Sequence, residues 1–212
     1  MTDLFNIRRD FTLKTLDESD VLSDPMGMFE QWLNEAIIAK ALEPNAMNLA
    51  TATPDGKPSS RMILLKQIKP QGFVFFTNYD SKKAYQITLN KYCALTFVWN
   101  ELERQVRIEG VVEKTSDAES DSYFEVRPEK SKLGAWASPQ SRAIPDRKYL
   151  EGLIKEYESK FKDKNIVRPQ NWGGYIVKPY LIEFWQGRSN RLHDRIQYVL
   201  EDGAWEVERL AP

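Results

Sequence analysis

The chain has 212 residues, 42% of them apolar, and its 30 lysines and arginines against 31 acidic residues leave a net charge of −1. That length and composition suit one domain with a substantial core. Near charge balance excludes a protein living on the nucleic-acid backbone, which needs a large basic surplus, and no apolar run approaches the roughly 20 residues that cross a bilayer.

Residues 1–24 read as a polar arm, charged and without a signal-peptide core, and residues 25–212 as a single domain. Asp24-Pro25 opens a helix through Lys40, with Pro in the first turn and Met28, Phe29, Leu33 and Ile37 near helical spacing. Strands are predicted over Met47–Thr53 and Ser59–Lys66, flanking the hairpin signal Pro54-Asp55-Gly56-Lys57, and over Gly72–Thr77. Ser81 caps a short helix ending near Asn90. Strands Tyr92–Trp99 and Leu102–Thr115 follow, and Cys93, the single cysteine, sits in the first of them. It reads as a buried small hydrophobe in a reducing, cytoplasmic compartment.

Ser116-Asp-Ala-Glu119 is a capping box whose helix must stop at Arg127, because Pro128 disfavours helical geometry there. Further helices are predicted over Ser131–Ala137 and Pro145–Lys162. Tyr175–Lys178, Leu181–Gly187, Arg191–Leu200 and Ala204–Leu210 read as strands, the last two joined at Glu201-Asp202-Gly203. Many antiparallel strands with inserted helices predict a mainly β, α+β fold, a small barrel with helical decoration.

The segment from Trp185 to Arg195 carries the only histidine. As a strand it would put Arg191, His193 and Arg195 on one face, with Leu192 and Asp194 on the other. Such a wall either faces an anion or is the solvated side of an edge strand. No glycine-rich phosphate loop exists, so side chains would have to hold a phosphate. Arg61 and Lys66 bracket an apolar strand and have opposite parity, reading as ligand contacts or as its two snorkelling ends. Ser81-Lys82-Lys83 opens a helix, where an anion or plain solvent satisfies the charges. Tyr123 and Arg127 form an i, i+4 pair followed by Ser131, a phosphate clamp or ordinary surface. Gln140-Ser141-Arg142 is a polar loop. Gln105, in mid-strand, needs a partner for its amide, whether a heterocycle edge, a side chain or water.

In this order and spacing the chain resembles the pyridoxine (pyridoxamine) 5′-phosphate oxidase family. The resemblance runs from Arg8 to Pro212 and is carried by Arg61-Met-Ile-Leu-Leu-Lys66, Phe75-Phe-Thr-Asn78 with Ser81-Lys-Lys83, Glu103-Arg-Gln105, Tyr123-Phe-Glu-Val-Arg127-Pro, Gly134-Ala-Trp136, Gln140-Ser141, Ile182-Glu-Phe-Trp185 with Arg191-Leu-His-Asp-Arg195, and Trp205 to Pro212. It implies a homodimer of FMN-binding split β-barrels with FMN at the subunit interface and no metal. It also implies oxidation of pyridoxine 5′-phosphate and pyridoxamine 5′-phosphate by O2 to pyridoxal 5′-phosphate, with release of H2O2, and of NH3 from the amine. By family pattern the FMN contacts fall on Arg61, Met62, Ile63, Leu64, Leu65, Lys66, Phe76, Thr77, Lys82, Lys83, Gln105, Gln140, Ser141, Trp185 and Arg195. The substrate contacts fall on Arg8, Lys66, Tyr123, Arg127, Ser131, Arg191 and His193, the last two being the implied catalytic pair. Phe11 and Phe76 stand where the pattern often has tyrosine, so phenolic contacts are lost at both. Two other readings are a split-barrel flavin reductase acting on a different substrate and a non-enzymatic flavin or vitamin-phosphate binding protein; the Tyr123/Arg127/Ser131 clamp and Arg191-Leu-His193 argue against the first.

Overall fold

The computed structural model describes residues 4–7 and 9–212, so Arg8, an expected substrate contact, lies outside the described residues. Helix α1 (Pro25–Ile38) is followed by strands β1 (Ala46–Ala52), β2 (Pro58–Leu64), β3 (Gln67–Lys69) and β4 (Gly72–Asn78), helix α2 (Lys82–Leu89), and strands β5 (Tyr92–Trp99) and β6 (Arg104–Lys114). Helices α3 (Asp117–Glu125), α4 (Glu129–Ala137) and α5 (Arg147–Lys160) precede the long strand β7 (Trp172–Gln186), then β8 (Asp194–Glu201) and β9 (Ala204–Arg209).

The strands pair antiparallel in the order β2-β1-β5-β6-β7-β4-β3, with β8 and β9 added beside β7. The two ends of that order, β2 and β3, are joined in sequence by Leu65 and Lys66 alone, and the Lys66 N–H donates to Val74 O at 2.9 Å. The sheet therefore curls until its ends meet. Strand β7 is shared: its first half pairs with β4 and its second half with β8. This is the predicted mainly β fold with inserted helices, a split barrel.

Local chemistry explains most boundaries. Asp24 accepts from the Met26 and Gly27 N–H groups, Ser81 from Ala84 N–H, and Ser116 with Glu119 forms the predicted capping box. Gly56, at φ +81°, supplies the left-handed residue of the first hairpin. Three strand expectations need correction. Ser59–Lys66 ends at Leu64, because Leu65 turns into the core and the chain crosses to β4. Tyr175–Lys178 and Leu181–Gly187 are one strand, since Pro179 falls at a bulge where the β6 register shifts between Glu109 and Gly110. Arg191–Leu200 begins only at Asp194: Ser189–Arg191 forms a 3-10 turn, with Asn190 at φ +56° and Arg191 at φ +62°.

Helix α1 buries Met28, Phe29, Trp32 and Ala36 in the barrel, where the Phe29 ring lies 4.8 Å from Phe73 and 4.9 Å from Phe97. Truncating such a ring costs about 3–5 kcal/mol. Leu16 and Val21, from the polar arm, pack in the same core. A second cluster of Phe124, Leu133, Ile166 and Trp172, backed by Phe76, Tyr123 and Trp136, anchors α3 and α4 on the β4/β7 edge. No described helix is long and apolar enough to cross a membrane.

Candidate functional site

A cleft of about 520 Å³ opens between β2, the end of β4, α2 and the α3–α4 corner. Arg61, Lys66, Lys83 and Arg127 line it, and among the described lining residues none carries a carboxylate. Four cations without an internal counter-charge make this a site for anions. Met62, Ile63, Leu64, Phe76, Thr77, Tyr123, Ser131 and Gln140 line it too, so the cleft gathers most of the residues expected in the two ligand sets. Arg61 and Lys66 both face it despite their opposite parity, because strand geometry ends between them at Leu64.

Each cation is held differently. The Arg61 guanidinium donates to Leu49 O (3.1 Å), Thr51 Oγ1 (2.7 Å) and Ser59 Oγ (2.6 Å). Lys83 is buried, and its Nζ donates to Thr77 Oγ1 (3.0 Å) and Gln140 Oε1 (2.9 Å). Burial, and then the nearby Arg61 charge, lowers its pKa to about 8. Arg127 lies just past the end of α3 with its Cζ 4.4 Å from the Trp172 ring centre. Its Nη1 is buried with no hydrogen-bond partner among the described residues, and desolvation lowers its pKa. Phe76, Tyr123 and Trp172 stack, Phe76 on Tyr123 at 4.0 Å between centroids and on Trp172 at 5.6 Å. Gly174 makes room for this stack, since a Cβ there would stand 2.8 Å from Phe76 Cε1.

A second group lies elsewhere on the chain. Gln105, Trp185 and Arg195 are register partners in a row across β6, β7 and β8. Arg195 donates to both oxygens of Glu183 (2.9 and 3.0 Å), and Arg107 donates to the same buried carboxylate at 2.6 Å. His193 packs on Trp185 at 4.6 Å between centroids, and its Nδ1 accepts from Arg188 N–H at 3.1 Å. Phe11 covers both rings edge-on at 5.8 Å, filling the space that Gly187 leaves: a Cβ there would sit 2.7 Å from Phe11 Cγ. The expected wall of Arg191, His193 and Arg195 by strand alternation is not formed. Only Arg195 is in a strand; the turn at 189–191 leaves Arg191 exposed.

Three more expected contacts fall outside the cleft lining: Leu65 is buried in the core, Lys82 is exposed beside the α2 N-terminus, and Ser141 is exposed at φ +69°. Conversely, the sequence reading missed Val126, Pro128 and Trp172 as lining residues, Thr51, Ser59 and Gln86 as the support of Arg61, and Glu183 as that of Arg195 and Arg107. Glu183 left a signal, a lone carboxylate inside the apolar run Leu181–Trp185. Trp172 left none, because its partner Arg127 is distant in sequence.

Residues 33–161 match the family described as pyridoxamine 5′-phosphate oxidase, and residues 172–212 match the pyridoxine 5′-phosphate oxidase C-terminal dimerisation region. A relative from Cupriavidus taiwanensis named pyridoxine/pyridoxamine 5′-phosphate oxidase is 54% identical over 213 residues, covering 100% of both chains. The crystal structure of PhzG from Burkholderia lata 383, in complex with tetrahydrophenazine-1-carboxylic acid, superposes with a TM-score of 0.89 at 31% identity, covering 94% of this chain and 99% of that one. A pyridoxamine 5′-phosphate oxidase-related, FMN-binding protein from Nostoc punctiforme shares the fold, with a TM-score of 0.68 at 17% identity over 87% of this chain and 97% of that one. Fold, cationic cleft and these matches together place the chain among the split-barrel, flavin-dependent oxidoreductases. The chain belongs to the pyridoxamine 5′-phosphate oxidase family.

Proposed function

We propose that the protein oxidises pyridoxine 5′-phosphate and pyridoxamine 5′-phosphate to pyridoxal 5′-phosphate with FMN as cofactor and O2 as final acceptor. The alcohol yields aldehyde and H2O2; the amine also takes up water and releases NH3. The observation that carries this reading is the carboxylate-free cleft with cations at more than one station. One phosphate would not need Arg61, Lys83, Lys66 and Arg127 together, whereas a flavin phosphate and a vitamin phosphate would. We assign Arg61, Lys83, Thr77 and Gln140 to FMN, and Lys66, Tyr123, Arg127 and Ser131 to the substrate phosphate. The donors fit: Arg127 Nη1 has no partner among the described residues, and Lys83 is already desolvated.

FMN, when bound, takes up the hydride equivalent lost from C4′ of the substrate. The chain's own residues bind, orient and shield. Arg191 and His193 lie over the substrate ring in this reading, with His193 donating from Nε2, because its Nδ1 already accepts the Arg188 N–H. Trp172 of the cleft and Trp185 of the second group stand at opposite ends of β7, roughly 40 Å of extended chain apart. We therefore read the protein as a homodimer in which the Gln105–Trp185–Arg195 row of one protomer completes the cleft of its partner; the match of residues 172–212 to a dimerisation region supports this. Residues 1–24 act as an arm on a single oxidase domain formed by 25–212. The free thiol of Cys93, buried and pushed up to about 12, suits the cytoplasm.

The test is direct. Protein loaded with FMN is mixed anaerobically with pyridoxamine 5′-phosphate, then aerated. Bleaching of the flavin followed by one H2O2 per pyridoxal 5′-phosphate is expected; a flavin that stays yellow refutes the reading.

A further inference from the structure

We propose that Gln86, which is not among the residues lining the cleft, is a positioning residue that fixes the Arg61 guanidinium for FMN. The proposal rests on the assignment of Arg61 to that cofactor. Gln86 lies on α2, 3% exposed, one helical turn beyond Lys83. Its Oε1 accepts two hydroxyl protons, from Thr51 Oγ1 at 2.7 Å and Ser59 Oγ at 2.6 Å. Thr51 of β1 and Ser59 of β2 stand directly opposite each other in the hairpin. The same two oxygens accept from Arg61, one from Nη1 and one from Nη2.

A hydroxyl has one proton and two lone pairs, whereas an amide oxygen can only accept. With both protons committed to Gln86, Thr51 and Ser59 must present lone pairs to the guanidinium. Without Gln86, each hydroxyl can turn its proton elsewhere, and of the acceptors named for Arg61 only Leu49 O, on Nη1, stays fixed. Helix α2 thus sets two cations of the cleft at once, Lys83 directly and Arg61 through Gln86. Holding a charged fork in place before an anion arrives lowers the ordering cost of binding.

FMN affinity of the flavin-free protein, read by quenching of flavin fluorescence, tests this in four proteins: wild type, Gln86→Leu, Arg61→Ala and the double variant. We expect Gln86→Leu to weaken FMN binding about tenfold and to add less than twofold when Arg61 is already alanine. Thr51→Val with Ser59→Ala, which leaves α2 intact, should reproduce the tenfold loss. Equal weakening by Gln86→Leu in both backgrounds, or none in either, overturns the positioning role while leaving Arg61 with FMN. Unchanged FMN affinity in Arg61→Ala instead overturns the assignment of Arg61, and the role of Gln86 with it.

Discussion

The Arg127 guanidinium sits 4.4 Å above the ring centre of Trp172 with a buried Nη1 that no acceptor among the described residues meets. The indole face holds the fork by cation–π attraction, while α3 and the Pro128 break place it at the cleft. A desolvated cation with an unused donor is poised for an anion, and a charge-assisted bond to one contributes roughly 1.5–3 kcal/mol. Arg127→Ala should therefore weaken pyridoxamine 5′-phosphate binding about ten- to a hundredfold, with FMN affinity unchanged. Arg127→Lys, which keeps the charge but not the planar fork, should recover only part of the loss. Equilibrium titration of the flavin-free protein with pyridoxamine 5′-phosphate and with FMN checks both; loss of FMN affinity in Arg127→Ala would place this side chain with the cofactor instead.

Lys83 gives a pH dependence with a definite sign. Its pKa, about 8, is depressed by burial and by Arg61. Below that pH the ammonium is present to meet a phosphate; above it the amine is neutral and the attraction is gone. FMN affinity should accordingly fall as pH rises through about 8. Because a bound anion favours the charged form, binding near this pH should take up protons. Lys83→Met should bind FMN more weakly at pH 7 and lose the alkaline decline. Titrations in two buffers of different ionisation enthalpy measure the proton uptake; a wild-type affinity that stays level across this range removes Lys83 from the FMN set.

Much of this was legible in the sequence where the determinant is local. The capping box at Ser116–Glu119, the Gly56 hairpin and the Tyr123/Arg127 pair each depend on residues within a few positions, so spacing alone located them. The strand wall of Arg191, His193 and Arg195 was misread because alternation presumes extended backbone; Asn190 is a residue type that tolerates positive φ, but nothing nearby announces it at Arg191. Trp172, Gln86 and Glu183 were missed for a different reason. Their partners Arg127, Thr51 with Ser59, and Arg195 with Arg107 come together only when the barrel closes. Support for a charged side chain is long-range information, and a single sequence carries it only as an oddly placed polar residue.

Glu183 illustrates what such support is worth. Its side chain is 1% exposed and neutralises Arg195 and Arg107 together. Glu183→Gln keeps the shape and one acceptor but leaves two guanidinium groups facing a neutral amide. Charged hydrogen bonds of this kind lose about 2 kcal/mol, equivalent to about 4–8 °C in Tm for a domain of this size. FMN affinity should fall as well if Arg195 contacts the flavin. Thermal unfolding with and without excess FMN separates the two effects: a Tm within 1 °C of wild type (well below the roughly 4 °C expected) would show that the carboxylate is dispensable.

His193 links the geometry of the second group to the chemistry at C4′. Its pKa lies below the ordinary value of 6.5, through burial first and the Arg191 charge second, with Asp194 opposing them. Protonation would also put a hydrogen on Nδ1, where the Arg188 N–H now donates. Above its ordinary range the ring is therefore neutral, with its proton on Nε2, and that N–H can orient the substituent at C4′, whose own proton leaves to solvent. As pH falls through the depressed pKa, the imidazolium forms, the Arg188 bond breaks and the ring loses its orientation on Trp185. Single-turnover flavin reduction by pyridoxamine 5′-phosphate should then be level at neutral pH with respect to this group and should decline on the acid side of 6.5. His193→Asn should slow reduction about tenfold and abolish that acid decline while substrate affinity changes little. Stopped-flow traces across pH decide it: an asparagine variant that reduces flavin at the wild-type rate throughout leaves His193 no part in flavin reduction.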